Sequence, residues 1–409
     1  MSKINDLIKE MCPNGVPFKK IGDICETITD YVAAGSFKDL ANNVKYLQEP
    51  DYAMLIRTTD IKNKFKGDKF IYINESAFNY LWRVNLDKDS LILPNIGNCG
   101  EIYYLTPDDL PYKRCSLATN AILVRSEKIN MKYLKHAFLA NDFQIQLKKI
   151  TSPSGQTKFN KTDLKKLLVP VPPIEVQEEI VRILDKFGEL EAELEAELEA
   201  RKSQYEFWRE KLLNTGNSNQ EYITLGDIGK VCMCKRIMKN ETSESGDVPF
   251  YKIGTFGKQA DAYISYDIFN DYKKRFSYPK KGEILVSCSG TIGRSVVFDG
   301  EDAYFQDSNI VWLSNDESKI LNKFLYYFYQ TSPWNISDGG TIKRLYNNQF
   351  ISAKVPLYSL EEQKKIVNIL ERFDKLINDI TAGLPAEIEL RRKQYEYYRN
   401  KLLSFEEVL

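Results

Sequence analysis

The sequence predicts an α+β protein that is built twice, as two mixed α/β domains that are each followed by a long α-helix. The first observation is a stretch at residues 175–213 that contains no proline and is dominated by Glu, Leu, Ala, Lys and Arg, which are strong helix formers. The second observation is that a similar sequence recurs near the end of the chain. PIEVQEEIVRILDKF (173–187) is echoed by YSLEEQKKIVNILERF (358–373), and RKSQYEFWREKLL (201–213) is echoed by RRKQYEYYRNKLL (391–403). A pseudo-two-fold internal repeat follows from this duplication.

Both stretches predict a helix with a seam that faces another helix, because their seam positions recur at alternating spacings of three and four. The tetrad Glu-Leu-Glu-Ala occurs three times between Glu189 and Ala200. At about 1.5 Å per residue the first stretch is roughly 57 Å long. The second stretch is one tetrad longer in its middle, where Gly383 and Pro385 predict a bend or a break. The predicted seam includes Leu184, Phe187, Leu194, Leu198, Tyr205, Trp208, Phe373, Ile377, Ile380, Tyr395 and Tyr398. Phe207 and Tyr397 lie off the seam, and we expect them to contact a partner protein.

Composition is that of a multidomain globular protein, since the chain has 409 residues and 43% hydrophobic residues. The net charge is zero, but residues 1–170 carry an excess of Lys and Arg, which suits a polyanion or equally a solvated surface. Seven scattered cysteines, with no secretory or membrane-spanning run, predict reduced thiols and a cytoplasmic protein. With His136 as the single histidine and no second pair beside Cys232-x-Cys234, we expect no metal site.

The sequence outside the helical stretches has no regular hydrophobic period, and it is also repeated. DSLILPNIGNCGEIYYL (89–105) is matched by KGEILVSCSGTIGRSVVF (281–298), which aligns Gly97 with Gly290 and Gly100 with Gly293. In the first copy we predict a helix at 1–11, strands at Ala53–Arg57, Lys69–Ile73, Ser90–Leu93, Glu101–Leu105 and Ala121–Arg125, and a helix at Met131–Asn141. The predicted order is a first domain at 1–170, a spacer helix at 171–213, a linker at 214–220, a second domain at 221–356 and a second spacer helix at 357–409.

These features resemble the specificity subunit of type I restriction-modification systems along the whole chain. The resemblance rests on the opening PNGVPFKKIGDI (13–24), the SGTIG loop (289–293), the helix entry VPVPPIEVQEEIVRIL (169–184) with its later echo, and the two QYE-containing helix ends. It implies that each domain is a target recognition domain for one half of a split, asymmetric DNA site. It also implies that the two helices pair antiparallel as a coiled-coil spacer that holds two modification subunits.

The resemblance implies further that the chemistry belongs to the partners. The modification subunits would carry S-adenosylmethionine and methylate adenines, and restriction (translocase-nuclease) subunits would use ATP and Mg²⁺. This chain would have no catalytic residue and no cofactor of its own. It would bind double-stranded DNA and no membrane.

Candidate DNA contacts follow from residue type and position. Arg57, Thr58 and Thr59 follow a predicted strand, where an Arg fork suits guanine and threonines suit phosphate, although an edge-strand ion pair is an equal alternative. Lys273, Lys274 and Arg275 form a basic triplet that suits phosphate or a solvated turn. On tight glycine loops the candidates are Asn95, Asn98, Ser289, Thr291 and Arg294, although the glycines alone can explain a turn there. The polar loops Ser154–Lys161 and Gly339–Tyr346 carry Gln156, Lys158, Asn160, Lys343 and Arg344, whose amides and cations suit base or phosphate contact.

Two other functions compete with DNA recognition. Pro50-Asp51 followed by Asp60-Ile61-Lys62 resembles a PD-(D/E)xK nuclease pattern, which arises readily by chance in a chain with 28% charged residues. A DNA-independent coiled-coil scaffold is the second alternative. If the domains do read DNA, a rigid spacer sets the separation of the half-sites, since one tetrad is about 6 Å of helix against about 3.4 Å per base-pair step. A merely stable and soluble helix explains the tetrads equally well.

Overall fold

The computed structural model describes residues 2–152, 156–213, 220–336, 343–379 and 381–408. These residues divide into two compact units. Unit 1 consists of residues 1–193 and 388–409, and unit 2 consists of residues 194–387. Each unit therefore holds one globular part together with pieces of both helical stretches. Residues 214–219 of the predicted linker and Ile380 of the predicted seam lie outside the described residues.

Unit 1 contains all five predicted strands of the first copy, with ends that differ by up to two residues. The predicted helix Met131–Asn141 ends at Leu139, because Ala140 is extended, and a second helix that the sequence did not predict begins at Asn141. The helices are α1 (Ser2–Met11), α2 (Ile21–Ile24), α3 (Phe37–Asn43), α4 (Thr58–Lys62), α5 (Glu75–Tyr80), α6 (Met131–Leu139), α7 (Asn141–Ile150) and α8 (Lys161–Leu164). The strands are β1 (Phe18–Lys20), β2 (Thr27–Asp30), β3 (Ala53–Ile56), β4 (Ile71–Ile73), β5 (Ser90–Pro94), β6 (Tyr103–Leu105), β7 (Cys115–Leu117), β8 (Ala121–Arg125) and β9 (Leu168–Pro170).

The strands of unit 1 form three small sheets. The four-stranded sheet has the order β2-β8-β5-β6 and is antiparallel throughout. The three-stranded sheet has the order β4-β3-β7, with β3 and β7 parallel. β1 pairs with β9, which closes the globular part just before the long helix. β5 and β8 are buried along nearly their whole length, as expected for central strands.

Unit 2 repeats this topology strand for strand. Its sheets have the orders β11-β17-β14-β15, β13-β12-β16 and β10-β18, and β12 and β16 are again the parallel pair. The strands are β10 (Tyr222–Thr224), β11 (Gly229–Cys232), β12 (Val248–Tyr251), β13 (Tyr263–Ile264), β14 (Ile284–Ser287), β15 (Ser295–Val297), β16 (Tyr304–Phe305), β17 (Ile310–Asn315) and β18 (Lys354–Pro356). The globular helices of this unit are α10 (Tyr266–Arg275), α11 (Asn322–Tyr329) and α12 (Asn347–Ile351). The predicted internal repeat is confirmed.

The first helical stretch is one helix and the second is two. We number the first α9 (Ile174–Leu213) and the others α13 (Leu360–Asn378) and α14 (Leu384–Leu403). α13 ends at Asn378, after which the Asp379 carboxylate accepts hydrogen bonds from the backbone N–H groups of Thr381 and Ala382. Pro385 then occupies the second position of α14, where a missing N–H removes no helical hydrogen bond. The predicted break is therefore confirmed, and it divides the second helical stretch into two helices.

In each unit a part of α9 runs antiparallel to a later helix. In unit 1, Phe187 stacks on Tyr398 of α14 with ring centroids 5.3 Å apart, and Arg392 pairs with Glu191 at 2.8 Å. In unit 2, Tyr205 contacts Phe373 of α13 with centroids 6.2 Å apart. The Tyr358 hydroxyl just before α13 donates to the Leu212 carbonyl at 3.2 Å. Because the partner's residue numbers fall as the α9 numbers rise, both pairs are antiparallel.

A buried glutamine fixes each globular part to its helix. In unit 1 the Gln177 side chain is 3% exposed, accepts from the Asn130 N–H at the start of α6 at 3.0 Å and donates to the Pro172 carbonyl at 2.8 Å. In unit 2, Gln363 is fully buried, accepts from the Leu321 N–H at the start of α11 at 2.8 Å and donates to the Lys319 carbonyl at 2.7 Å. Each amide therefore satisfies a helix N-terminus that would otherwise lack a partner.

One further contact in unit 1 joins three helices through His136. Its ring is 2% exposed and lies 3.0 Å from Asp185 of α9 and 2.9 Å from the Tyr395 hydroxyl of α14. The hydrogen bonds from His136 and Lys132 hold the pKa of Asp185 at about 2 against the effect of burial. Burial lowers the pKa of His136, so the imidazole is neutral at pH 7. In unit 2 the equivalent position of α11 is Tyr327.

The seven cysteines have free thiols. Burial raises the pKa of four of them, Cys25, Cys115, Cys234 and Cys288, to about 12. Such thiols remain protonated and unreactive at neutral pH. Within the described ranges, no group of His, Cys, Asp and Glu side chains is arranged to hold a metal ion. No helix among these residues is both long and apolar enough to cross a membrane.

The buried glutamines predict a loss of stability on substitution. Gln177→Leu and Gln363→Leu leave the N–H of Asn130 or Leu321 buried without an acceptor, which should lower the free energy of unfolding by about 1–3 kcal/mol in urea titrations. The control is Gln204→Leu on an exposed face of α9, where the lost contact is a surface bond from Arg201 and a change below about 0.5 kcal/mol is expected. Equal effects at all three positions would contradict the capping role.

His136 predicts a pH dependence whose sign follows from its lowered pKa. The unfolded chain takes up a proton near pH 6.5, whereas the folded chain does so at lower pH. Stability should therefore fall as the pH drops below 6.5, by at most about 1.4 kcal/mol per pH unit. His136→Tyr, which copies Tyr327 of unit 2, should remove that component. Urea midpoints of both proteins at pH 7.5 and 5.5 test this, and an identical pH dependence would refute it.

Candidate nucleic-acid interface

Three loops of unit 1 meet at one end of its four-stranded sheet. Pro94 at the end of β5 pairs with Ala121 at the start of β8. The loop after β5 (A1, residues 95–100) and the loop before β8 (C1, residues 118–120) therefore lie side by side. The third loop (B1, residues 156–160) joins them through a bridge between Ile96 and Lys158.

Backbone hydrogen bonds fix these loops to one another. The Asn95 N–H donates to the Asn120 carbonyl at 3.1 Å, and the Phe159 N–H donates to the Asn95 carbonyl at 3.1 Å. The Gly97 N–H donates to the Thr157 carbonyl at 2.8 Å. Gly97 has a φ of +84°, in the left-handed region that favours glycine. Loops A1 and B1, which the sequence offered as separate candidates, thus form one surface.

Unit 2 builds the same cluster from the same backbone groups. Its loops are A2 (288–293), B2 (343–346) and C2 (307–309). The Cys288 N–H donates to the Asn309 carbonyl at 2.7 Å, and the Leu345 N–H donates to the Cys288 carbonyl at 2.8 Å. A bridge joins Ser289 to Arg344. Gly290 has a φ of +64°, which is positive like that of its counterpart Gly97.

The side chains of the unit 1 loops differ in how far they are committed to the fold. Asn98, Gln156 and Lys158 are exposed. Asn160 is exposed but caps α8, since its side-chain oxygen accepts from the Asp163 N–H at 2.8 Å. Asn95 is half-buried and donates to the Phe159 carbonyl at 3.3 Å. Asn98 also forms a side-chain hydrogen bond with Glu101. Of the five candidates, Gln156 and Lys158 are therefore available to a ligand without breaking a contact among the described residues.

In unit 2, Thr291 and Lys343 are exposed. The side chains of Ser289, Arg294 and Arg344 make hydrogen bonds within the fold. The Ser289 hydroxyl donates to the Asn309 side chain at 2.9 Å. Arg344 is half-buried and donates to the Ser308 carbonyl at 2.8 Å. Arg294 lies outside the cluster proper and donates to the Phe256 carbonyl at 2.9 Å. The two clusters thus share a backbone and differ in their side chains.

Arg57 does not join the cluster. It occupies the N-cap position of α4 and donates two side-chain hydrogen bonds to Asp60, at 2.9 Å from Nε and 2.6 Å from Nη2, which raise the pKa of the guanidinium. Its Nη2 also donates to the Lys69 carbonyl at 2.8 Å. Thr58 and Thr59 occupy the first turn of α4, half-buried and exposed respectively. The geometry at Arg57 is that of the ion-pair alternative.

The residues of the nuclease-like pattern are also engaged within the fold. Asp60 is 6% exposed and is occupied by Arg57. Lys62 pairs with Glu101 at 2.6 Å. Asp51 is exposed. The carboxylate and the lysine that this pattern requires therefore face different partners.

Most of the basic triplet is neutralised. It lies in the last turn of α10, where cations interact favourably with the helix C-terminus. Lys273 pairs with Asp302 at 3.1 Å and lies over two aromatic rings. Arg275 pairs with Asp271 at 2.7 Å. Lys274 is exposed. The pairing of Lys273 and Arg275 supports a stabilising role for the triplet.

Sequence reasoning missed loops C1 and C2 as parts of the site. Asn120 and Ser308 both have positive φ values, +69° and +53°. Such values are uncommon outside glycine and mark a constrained turn. In loop C1 the available signal was Asn120 directly before an apolar strand, since Asn tolerates this conformation. In loop C2 the positive φ lies on Ser308, whose residue type gave no such signal.

The two helix ends present equivalent exposed aromatics. Phe207 of α9 is 58% exposed and Tyr397 of α14 is 59% exposed. A lysine one turn later lies over each ring, Lys211 at 5.8 Å and Lys401 at 5.8 Å. The seam residues are more enclosed, and Leu184 and Tyr205 are buried. Ile377 is also buried. The other described seam residues are half-buried, namely Phe187, Leu194, Leu198, Trp208, Phe373, Tyr395 and Tyr398.

Comparison with known proteins agrees with this duplicated architecture. A family model described as the type I restriction modification DNA specificity domain matches twice, at residues 13–200 and 217–390. A putative type I restriction enzyme specificity subunit of Haemophilus influenzae is 53% identical over 287 residues, which cover 68% of this chain and 73% of that protein. The EcoR124I/EcoR124II specificity subunit of Escherichia coli is 35% identical over 260 residues, covering 59% of this chain and 63% of that protein.

A solved structure shares the fold. It comes from work on complex assembly and conformational transition of the type I R-M system, and it aligns over 96% of this chain and 98% of its own with a TM-score of 0.58 and 15% identity. The chain therefore belongs to the type I restriction-modification DNA specificity family, carries two copies of its domain, and is a specificity subunit rather than a catalytic component.

Proposed function

We propose that this chain recognises a bipartite, asymmetric DNA site for a type I restriction-modification complex, with each unit reading one half. The observation that carries the proposal is the loop cluster that both units build at the same end of equivalent sheets. Loops on a rigid sheet are a common platform for recognition. Because the clusters share backbone but not side chains, the two half-sites should differ in sequence.

The exposed polar side chains of loops A and B are the proposed contact residues. Amides such as Asn98 and Gln156 can read base edges, and hydroxyls such as Thr291 can contact either bases or phosphates. Lys158, Lys343 and Arg344 supply cations. Arg57 and the paired residues of the basic triplet instead hold the framework of each unit, since their charges are neutralised by neighbouring carboxylates.

The helices are proposed to act as spacer and docking platform. α9 contains 40 residues and so extends for about 60 Å. It contributes its first half to unit 1 and its second half to unit 2, so its length would set the separation of the half-sites. Two modification subunits would dock on the equivalent ends that carry Phe207 and Tyr397. The cofactor chemistry and the restriction subunits belong to the partners, and the complex would work in the cytoplasm.

The first test combines mapping of the site with a change in the spacer. In cells that carry this chain and its modification subunit, methyladenine should map to a split motif. Deletion of Glu197–Ala200 removes about 6 Å of helix, so the gap should shrink by about one to two base pairs of about 3.4 Å each, with both half-site sequences retained.

The control is the double variant Glu197→Gln and Glu199→Gln, which keeps the helix length and should leave the gap unchanged. An altered base in either half, or an unchanged gap after the deletion, would count against the spacer role. Methylation without any sequence preference would instead favour a scaffold without DNA specificity.

A second test concerns the partner. Phe207→Ala and Tyr397→Ala each remove an exposed aromatic anchor, and each should weaken binding of the modification subunit by about 1–2 kcal/mol, which is about five- to thirtyfold in affinity. Calorimetric titration of the purified subunits measures this. Tyr266→Ala, at a 49% exposed aromatic in the globular part of unit 2, is the control and should bind normally. Unchanged affinity in both helix variants would place the docking surface elsewhere.

A further inference from the structure

The two loop clusters hold a cation at one equivalent position. Lys158 bridges Ile96 in unit 1, and Arg344 bridges Ser289 in unit 2. The next residue in each case donates its N–H to the first residue of loop A, at 3.1 Å in unit 1 and 2.8 Å in unit 2. The backbone thus places Lys158 and Arg344 at the same point relative to the sheet end.

The surroundings of the two cations are not conserved between the units. The exposed residue after the first glycine of loop A is Asn98 in unit 1 and Thr291 in unit 2. The residue after the cation's neighbour is Asn160 in one unit and Tyr346 in the other. A feature that two readers of different half-sites share cannot distinguish those half-sites. The sugar-phosphate backbone is the part of a duplex that both halves have in common.

Neither cation is neutralised within the fold. Among the described residues, Lys158 and Arg344 form no ion pair with a carboxylate. Arg344 donates one N–H to the neutral Ser308 carbonyl, and its other side-chain N–H groups can donate to a ligand. Arg57, Lys273 and Arg275 are each paired with an aspartate.

We infer that Lys158 and Arg344 are paired positioning residues that contact DNA phosphate and carry no sequence information. The inference rests on the proposed function, that each unit reads DNA. It divides the cluster into two parts. The shared cation and backbone would set the height and register of each unit on the duplex, and the side chains that differ would read the bases.

The test uses the full chain with its modification subunits and measures binding over a salt series. One duplex carries the complete site and the other has one half-site scrambled. Lys158→Gln and Arg344→Gln should each weaken binding to both duplexes alike, roughly eightfold at 0.1 M salt, and reduce the slope of log K against log salt by about 0.9. Lys158→Arg should retain both quantities. Lys88→Gln and Lys281→Gln, at exposed lysines before β5 and β14 and thus at the opposite end of the same sheets, should change neither.

Two results would overturn the inference. A variant that alters the ratio of affinities for the intact and scrambled sites reads bases, and one that leaves affinity and slope unchanged makes no contact. If the wild-type chain itself fails to distinguish the two duplexes, the proposed function is wrong, while the salt slopes on the scrambled duplex still decide whether the cations meet phosphate.

Discussion

Each unit depends on one buried amide. Gln177 and Gln363 lie on the helices that leave the globular parts, at 3% and 0% exposure, and each satisfies the first N–H of a helix that packs on the central sheet. If the helix shifted and the buried amide lost these partners, the free energy lost would exceed what the hydrogen bonds contribute to stability. The helix therefore has one favoured position against its globular part. The loops at the sheet end therefore keep a fixed orientation to the helix within each unit. In the proposed function, a unit held in this way would transmit its position on DNA to whatever the helix carries.

The repeat separates what a recognition module must keep from what it must vary. The hydrogen bonds from Asn95 to Asn120 and from Cys288 to Asn309 are equivalent although the two donors have different side chains, because both bonds run between backbone atoms. Because a backbone bond does not depend on side-chain identity, the cluster survives substitution at its surface. The contacts that anchor α6 and α11 show the same tolerance. The position of His136 in unit 1 is occupied by Tyr327 in unit 2, but both units keep an equivalent ion pair, Lys132–Asp185 to α9 and Lys323–Glu371 to α13. A few shared contacts thus maintain the backbone arrangement of both units, and the other side chains can differ between them.

Local signals predicted much of this fold. Strong helix formers predicted α9, and Gly383 with Pro385 predicted the break after α13, because both follow from the conformational preferences of neighbouring residues. What the sequence did not predict depends on contacts between distant residues. An ion pair was one of the two alternatives at Arg57, but nothing near it reveals that it also donates to the Lys69 carbonyl. In the same way, nothing near Lys158 reveals that it lies against Ile96. The candidate site was therefore found as separate loops, and the structure joined them.

The middle of α9 differs physically from its ends. Val176, Ile180 and Leu184 are buried in the core of unit 1, and Tyr205 and Leu213 are buried in the core of unit 2, but no residue from 188 to 204 is buried. This segment is held in its helix mainly by intrinsic propensity and by ion pairs such as Glu197–Arg201. Its packing is only partial, since Leu194 and Leu198 are half-buried. Adding or removing residues here would disturb only half-buried contacts such as that of Leu198, whereas the same change at Leu184 or Tyr205 would misplace buried side chains. The repeated tetrads lie in the one part of the helix where length can change at little cost to folding, which is what a spacer of adjustable length requires.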